Sequence, residues 1–225
     1  MHLHIAVDID GTLNLPREEY EFPMCENWLL MNGYSYKKPD YNKFLVKDVF
    51  GFDDKRQKEW MDWFFPINCR ENPPQLGCPE VMRLLRFDGH KISIVTRRDP
   101  AYPGKYTGQE MIRDTEEWLA KNSIPYDEIH YGCKDKVKTL KEINADIMIE
   151  DELLNLKPIA DAGIACIAIA QPYNKDSDAL GPNIVRIDGW PRIKRFIDQY
   201  AMIKPQMMEG EKWDGLKKGI LSQIK

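Results

Sequence analysis

The stretch IAVDIDGTL, residues 5–13, decides how the rest of the chain is read. Ile5, Ala6 and Val7 form a short apolar run, Asp8 and Asp10 follow with one residue between them, and Gly11–Thr12 breaks the pattern. This reads as a buried strand that ends in two carboxylates. Residues i and i+2 of a strand point to the same side, so Asp8 and Asp10 would converge just beyond its carboxyl end. Two like charges there call for a cation or a shared proton. Gly11 would let the backbone turn sharply and approach a ligand closely. Taken alone, D-x-D-G reads more simply as an acidic turn, so the case depends on partners further along the chain.

Working outward, 225 residues suit one domain with an insertion better than two independent domains. The net charge of −4, from 32 basic and 36 acidic residues, gives no polycationic surface, and no nucleic-acid binding is expected. Cys25, Cys69, Cys78, Cys133 and Cys166 are odd in number, scattered, and never form C-x-x-C. That argues against a disulfide framework and against a zinc site, and favours a reducing, cytoplasmic setting. The longest apolar stretch, Ala162–Ala170, is about half of the ~18 residues expected of a membrane span, and the amino terminus leaves no room for a signal peptide. No membrane partner is expected.

Residues 15–75 are rich in aromatics, with short helices expected at Cys25–Asn32, Tyr41–Phe50 and Asp53–Phe65, the last capped by Asp53. A helical insertion directly after the first strand looks like a cap; a small helical subdomain with its own core is the plainer reading and is compatible with it. Asn72–Gly77 closes the insertion with proline and glycine. Beyond it, strands and helices alternate. Strands are expected at Lys91–Thr96, Glu128–Tyr131, Asp146–Ile149, Ile164–Ile169 and Asn183–Ile187. Helices are expected near Pro79–Phe87, Thr107–Asn122, Lys136–Ile143, Leu154–Ala162 and Pro191–Tyr200. The fold class is α/β: a Rossmann-like, mostly parallel sheet flanked by helices, formed by residues 1–14 and 76–203, with the cap inserted after the first strand. Residues 204–225 read as a helical tail, with Trp213, Leu216, Ile220 and Leu221 at helix-like spacing.

The strand tips now assemble. Asp8, Asp10, Thr96, Lys136 and Asp151 all fall at or just past expected strand ends on one edge of the sheet. Phosphoryl transfer to a carboxylate needs such a set: a nucleophilic carboxylate, a second carboxyl group for proton transfer, a divalent cation, and a lysine and hydroxyl for the developing charge. Mg²⁺ would suit Asp8, the Asp10 backbone carbonyl and Asp151.

This order of elements resembles the haloacid dehalogenase superfamily of phosphohydrolases over roughly residues 3–200. Ile5–Leu13 matches its first motif, hhhDxDGT. Ser93–Arg98 (SIVTRR) matches the second, Lys136 the third, and Ile147–Asp151 (IMIED) the acidic fourth. The resemblance implies that Asp8 is the nucleophile and Asp10 the general acid/base. It makes Thr96, Arg97 and Lys136 phosphate ligands, and Asp8, Asp10 and Asp151 the ligands of Mg²⁺. Lys138 is the alternative to Lys136, and Glu150 is either a direct metal ligand or a supporting group. The "TxR" tip at Thr96–Arg98, the "PYN" at Pro172–Asn174 and Gly189–Trp190 are similar to the 5'(3')-deoxyribonucleotidase-like (cytosolic type C 5'-nucleotidase) family.

The function implied is a Mg²⁺-dependent phosphomonoesterase acting through an aspartyl-phosphate on a nucleoside monophosphate, with Trp28, Phe44 and Trp60 of the cap as substrate contacts. A phosphosugar or other small phosphorylated metabolite is the alternative substrate. A signalling module phosphorylated on Asp8 without turnover is the alternative class. A homodimer is compatible with the sequence. His2, His4, His90 and His130 read as structural.

Overall fold

The computed structural model describes residues 1–102, 106–176, 181 and 183–204. From Pro205 onward the expected helical tail lies outside the described residues.

The first strand, β1 (His4–Val7), lies at the centre of the sheet. The others are β2 (Lys91–Val95), β3 (Glu128–His130), β4 (Ile147–Glu150), β5 (Ala165–Ile169) and β6 (Ile184–Ile187). Their order is β3-β2-β1-β4-β5-β6, and every neighbouring pair is parallel. This is the doubly wound Rossmann-like order, which reverses direction between β1 and β4; ligands of such sheets sit outside the carboxyl ends of the strands at that reversal.

The alternation within each strand sorts side chains to two faces. Ile5, Val7, Ile92, Ile94, Ile147 and Ile149 face one layer, made by α4 (Cys78–Phe87), α5 (Gly108–Lys121) and α8 (Trp190–Ile203). The smaller Ala6, Cys166 and Ala168, with Met148, face α6 (Lys136–Glu142) and α7 (Leu153–Asp161). Each fully buried aliphatic side chain contributes roughly 1.5–3 kcal/mol, so the sheet edge that carries the site is a stiff platform. Thr107 caps α5 through a capping box with Glu110, and Asp135 caps α6 by accepting from Lys138 N at 3.1 Å. Among the described residues, no helix is long and apolar enough to cross a membrane.

The insertion holds α1 (Glu21–Met31), α2 (Val46–Phe50) and α3 (Asp54–Glu71). Its two ends lie side by side: Leu15 N donates to Pro73 O at 2.7 Å and Gln75 N to Leu13 O at 2.9 Å. Phe22, Leu29, Phe50, Trp60 and Phe64 form its own core. A second contact anchors the carboxyl half of α3 on α5, where Trp118 Nε1 donates to Asn72 O at 2.7 Å.

The three helices of the insertion differ from their expected bounds. The helix expected at Tyr41–Phe50 is confined to Val46–Phe50, because Asp40 makes a turn by accepting from Asn42 N at 3.2 Å, and Leu45 is extended. The first helix starts at Glu21 rather than Cys25. The third runs through Pro66 to Glu71; Phe64 and Cys69 are buried on either side of the proline, so packing outweighs the lost backbone hydrogen bond. Asp53 caps it as expected, accepting from Arg56 N at 2.8 Å.

Candidate active site

The register builds the site. Val7 lies opposite Ile94 on β2 and Ile149 on β4, so the next residues, Asp8, Val95 and Glu150, share one level, with Thr96 and Asp151 a step beyond. The chain then turns. Thr12, Leu13 and Asn14 N all bond to Ile9 O, and Gly11 takes φ +77°, with Gln75 and Gln171 side chains donating to its carbonyl. Trp190 Nε1, at the start of α8, locks the loop by donating to Thr12 O at 3.2 Å.

This turn gives the two carboxylates different partners. Asp8 is buried, and its Oδ1 accepts from Lys136 Nζ at 2.6 Å; the same ammonium reaches Glu150 Oε2 at 2.6 Å. Asp10 faces the insertion instead. Arg98 grips it with two bonds, Nε to Oδ2 at 3.0 Å and Nη2 to Oδ1 at 2.7 Å, while Asn68 of α3 donates at 2.7 Å and Asn14 at 3.2 Å. Both carboxylates still line one cavity of about 400 Å³, together with Thr96, Arg97, Lys136 and Asp151.

Electrostatics follows from these partners. Burial, with repulsion from Glu150 and Asp10 added, pushes the Asp8 carboxyl up to about 7 against the pull of Lys136. Burial and the neighbouring Glu150 and Asp8 push Asp151 well above the usual range. Burial opposes charge at Asp10 as well, but Arg98 and the two amides overcome it and hold its pKa down to about 2. Asp10 is therefore a carboxylate here. Glu150 is also lowered, Lys136 outweighing burial.

Asp8, Glu150 and Asp151 each offer an oxygen, and these atoms lie within 4.8 Å of one another. An all-oxygen set suits a hard cation such as Mg²⁺ rather than Zn²⁺. Three buried carboxylates facing one lysine leave negative charge to be neutralised, so the residues present fit the metal. Asp10, expected to reach the ion through its backbone carbonyl, turns its carboxylate to Arg98, and Glu150 joins Asp8 and Asp151 in the carboxylate cluster. Tyr173 donates to Asp151 Oδ2, Thr12 Oγ1 to Asp151 Oδ1 at 3.3 Å, and Asn174 Nδ2 to Asp151 O at 2.8 Å.

Of the lysine alternatives, Lys136 is the one at the site; Lys138 is exposed beside Glu142. Thr96 is buried, and Arg97 is half-exposed with Nη1 3.5 Å from Glu152. Among the three expected cap contacts, only Phe44 lines the cavity. Trp28 and Trp60 are corrected: they pack on each other at 5.6 Å inside the insertion's core, Trp60 donates to Glu21 at 3.4 Å, and neither lines the cavity. The sequence gives no role to Arg98, Asn68 or Tyr173, although the TxR tip at Thr96–Arg98 and the PYN at Pro172–Asn174 mark the segments that carry Arg98 and Tyr173. His4 and His90 are structural, bonded to Ser93 Oγ and Leu3 N.

Gly11 gives a direct test of the crowding here. A Cβ on it would lie 2.5 Å from Asp151 Oδ2 and 3.2 Å from the Tyr173 hydroxyl, at a backbone angle that L residues rarely adopt. Gly11→Ala is expected to weaken divalent-cation binding at least about tenfold, because displacing one carboxylate oxygen costs more than the ~1.4 kcal/mol that a factor of ten represents. Mn²⁺ titration followed by electron paramagnetic resonance measures it; wild-type affinity in the variant would show that Asp151 does not hold the ion.

No protein-family model matches the chain. A nucleotidase of Clostridium acetobutylicum is 24% identical over 198 residues, covering 88% of this chain and 94% of the relative. A protein of Halalkalibacterium halodurans named "Putative nucleotidase" is 30% identical over 199 residues, covering 87% and 92%. Among solved structures, a haloacid dehalogenase-like family hydrolase from Streptococcus pneumoniae superposes with a TM-score of 0.59 at 15% identity, over 87% of this chain and 98% of that one. The chain has the fold of the haloacid dehalogenase-like hydrolases, and at 30% identity over nearly all of both chains it belongs to the family of the Halalkalibacterium protein.

Proposed function

We propose that the protein is a Mg²⁺-dependent phosphomonoesterase whose substrate is a nucleoside monophosphate. The observation that carries the reading is Asp8, buried at the sheet's reversal point, bonded to Lys136 and flanked by Glu150 and Asp151 at the floor of an open cavity.

Lys136 anchors Asp8 Oδ1 and leaves the other oxygen to attack phosphorus. A P–O bond to Asp8 forms as the P–O bond to the leaving group breaks, and the leaving oxygen takes a proton from Asp10. Water then attacks the aspartyl-phosphate, Asp10 accepts the water's proton, and phosphate departs with Asp8 regenerated. The proton gained in this second half balances the one given to the leaving oxygen in the first. Between turnovers Arg98 holds Asp10 in its base form, so entry into the first half takes up a proton. Mg²⁺, held by Asp8, Glu150 and Asp151, would neutralise phosphate oxygens during the reaction.

A second lobe of about 230 Å³ adjoins the first through Asp10, Arg17 and Leu45, and is lined by Gln57, Met61, Phe64, Phe65 and Asn68. Flat aromatic faces and carboxamides suit a nucleoside leaving group, which agrees with the names of the relatives. Phosphate release from deoxy- and ribonucleoside 5'- and 3'-monophosphates, phosphosugars and an aryl phosphate, with Mg²⁺ or a chelator, is the test. Chelator-sensitive release that favours nucleotides is expected. Release confined to phosphosugars would retain the chemistry and overturn the substrate; no release from any of them would overturn both.

A further inference from the structure

Arg17 lies on the segment between β1 and α1, and it lines both lobes of the cavity. It is held from one side. Nη1 pairs with Glu21 at 2.9 Å and donates to Phe44 O at 3.3 Å, and the guanidinium lies 4.0 Å from the centre of the Phe44 ring. Phe44 packs edge-on against Tyr173, at 5.4 Å and 78°, and Tyr173 donates to Asp151. The guanidinium is therefore fixed at the mouth of the site, next to the carboxylate cluster. Its contacts with Glu21 and Phe44 O engage only Nη1, and the planar fork has further donors at Nε and Nη2.

Charge gives these donors a use. Five carboxylates, Asp8 among them, line the cavity, against Arg17, Arg97 and Lys136. A phosphate dianion entering there needs cationic donors with capacity to spare. Lys136 is already bonded to two carboxylates, and Arg98 is committed to Asp10 and to Thr115 Oγ1 at 2.8 Å. Arg97 has a side chain 52% exposed and leans on Glu152, whereas that of Arg17 is 22% exposed and braced by an aromatic ring. A desolvated, pre-oriented guanidinium is the stronger phosphate donor of the two.

We propose that Arg17 binds the substrate's phosphoryl oxygens from the insertion side, facing Thr96 and Lys136 across the cavity. This rests on the phosphomonoesterase reading above. Because Arg17 is also tied to Glu21 of α1 and to Phe44, phosphate held by it would couple the insertion to the sheet edge when substrate is present.

Orthovanadate, a phosphate mimic without a leaving group, separates this role from a structural one. Its affinity is measured with Mg²⁺ for wild type, Arg17→Gln, Arg17→Lys and Glu21→Gln, alongside aryl-phosphate turnover, melting temperature and Mn²⁺ affinity without anion. Arg17→Gln is expected to weaken vanadate about 10- to 100-fold, the scale of a lost pair of charge-assisted hydrogen bonds, while Mn²⁺ affinity stays within about twofold. Arg17→Lys should recover part of the loss, since it keeps the charge without the fork. Glu21→Gln, which removes the ion pair but keeps the guanidinium, should leave vanadate affinity within about threefold of wild type. Wild-type vanadate affinity in Arg17→Gln, or an equal loss in Glu21→Gln, overturns the proposal while active wild type keeps the phosphatase reading. A wild type that neither binds vanadate nor releases phosphate overturns both.

Discussion

Asp8→Asn is expected to abolish phosphate release, by about 10⁴-fold or more, while raising the melting temperature of the metal-free protein at pH 8. The two effects have one origin. The carboxylate that must attack phosphorus is buried beside Glu150 and within reach of Asp151, and its pKa is pushed up to about 7 chiefly by burial. A carboxyl whose folded pKa lies above its unfolded value binds more protons in the folded state across the interval between them. Stability from that proton is full below about pH 4 and is lost as pH rises through about 7. Above that, the wild type carries an ionised, partly uncompensated carboxylate. Asparagine cannot ionise, so the variant escapes this loss, and its stability should change less with pH over the same interval. Mg²⁺ should reverse the order of stability, because a ligand that binds only the folded state favours the protein that binds it more tightly. Thermal melts from pH 4 to 8, with chelator and with Mg²⁺, run beside phosphate release, measure both. Turnover within tenfold of wild type would rule out Asp8 as the nucleophile.

What could be read from the sequence was what depends on local pattern. Val7, Val95 and Ile149 close apolar runs whose lengths identify strands, and a polar residue directly after such a run falls on the carboxyl edge of a parallel sheet. That is why Asp8, Thr96 and Glu150, with Asp151 one residue beyond, could be placed from the sequence, and why Lys136, opening a helix after another strand, joined them. Arg98 and Asn68 could not be placed on Asp10. Their bonds depend on the path of α3 over the sheet edge, and Pro66 disguised how far that helix runs. That Asp8 and Asp10 line one cavity but take different partners was hidden for a related reason. The strand ends at Val7 and the chain turns on Ile9 O, so strand alternation no longer governs Asp10. Aromatic content was ambiguous by nature. Trp28 and Trp60 are apolar enough to build a core and flat enough to hold a base, and only packing shows that they build the core. Glu150 lies just past the expected strand Asp146–Ile149 and is the last residue of β4; the register with β1 sets it beside Asp8, and no property of IMIED alone would.

Lys136→Met should destabilise the metal-free protein by about 3–5 kcal/mol at pH 8, the usual cost of removing one partner from a buried ion pair. Methionine nearly preserves the volume, so the loss would come from charge rather than from a cavity. Lys136 is 3% exposed and holds both Asp8 Oδ1 and Glu150 Oε2 at 2.6 Å, and its removal leaves two buried carboxylates without their cation. Those carboxylates raise the lysine's pKa above its ordinary value, against the effect of burial. A raised lysine pKa contributes stability that is fully present below the unfolded value and is lost only as pH rises through the folded one, on the alkaline side of 10.5. Between pH 5 and 9 the lysine therefore stays charged, and the pH dependence of the loss must come from its partners. Asp8 and Glu150, deprived of the lysine, should take up protons more readily, and the destabilisation should shrink as pH falls toward 5. Mg²⁺ should restore part of the stability by supplying charge to the same three carboxylates, without restoring turnover, because nothing would then anchor Asp8 Oδ1. Adding Glu150→Gln removes one orphaned charge and should recover a large part of the loss, a coupling that a double-mutant cycle reads directly. If Lys136→Met melts like wild type at every pH in chelator, the carboxylates are not charged together in the folded protein, and the electrostatic picture of the site is wrong.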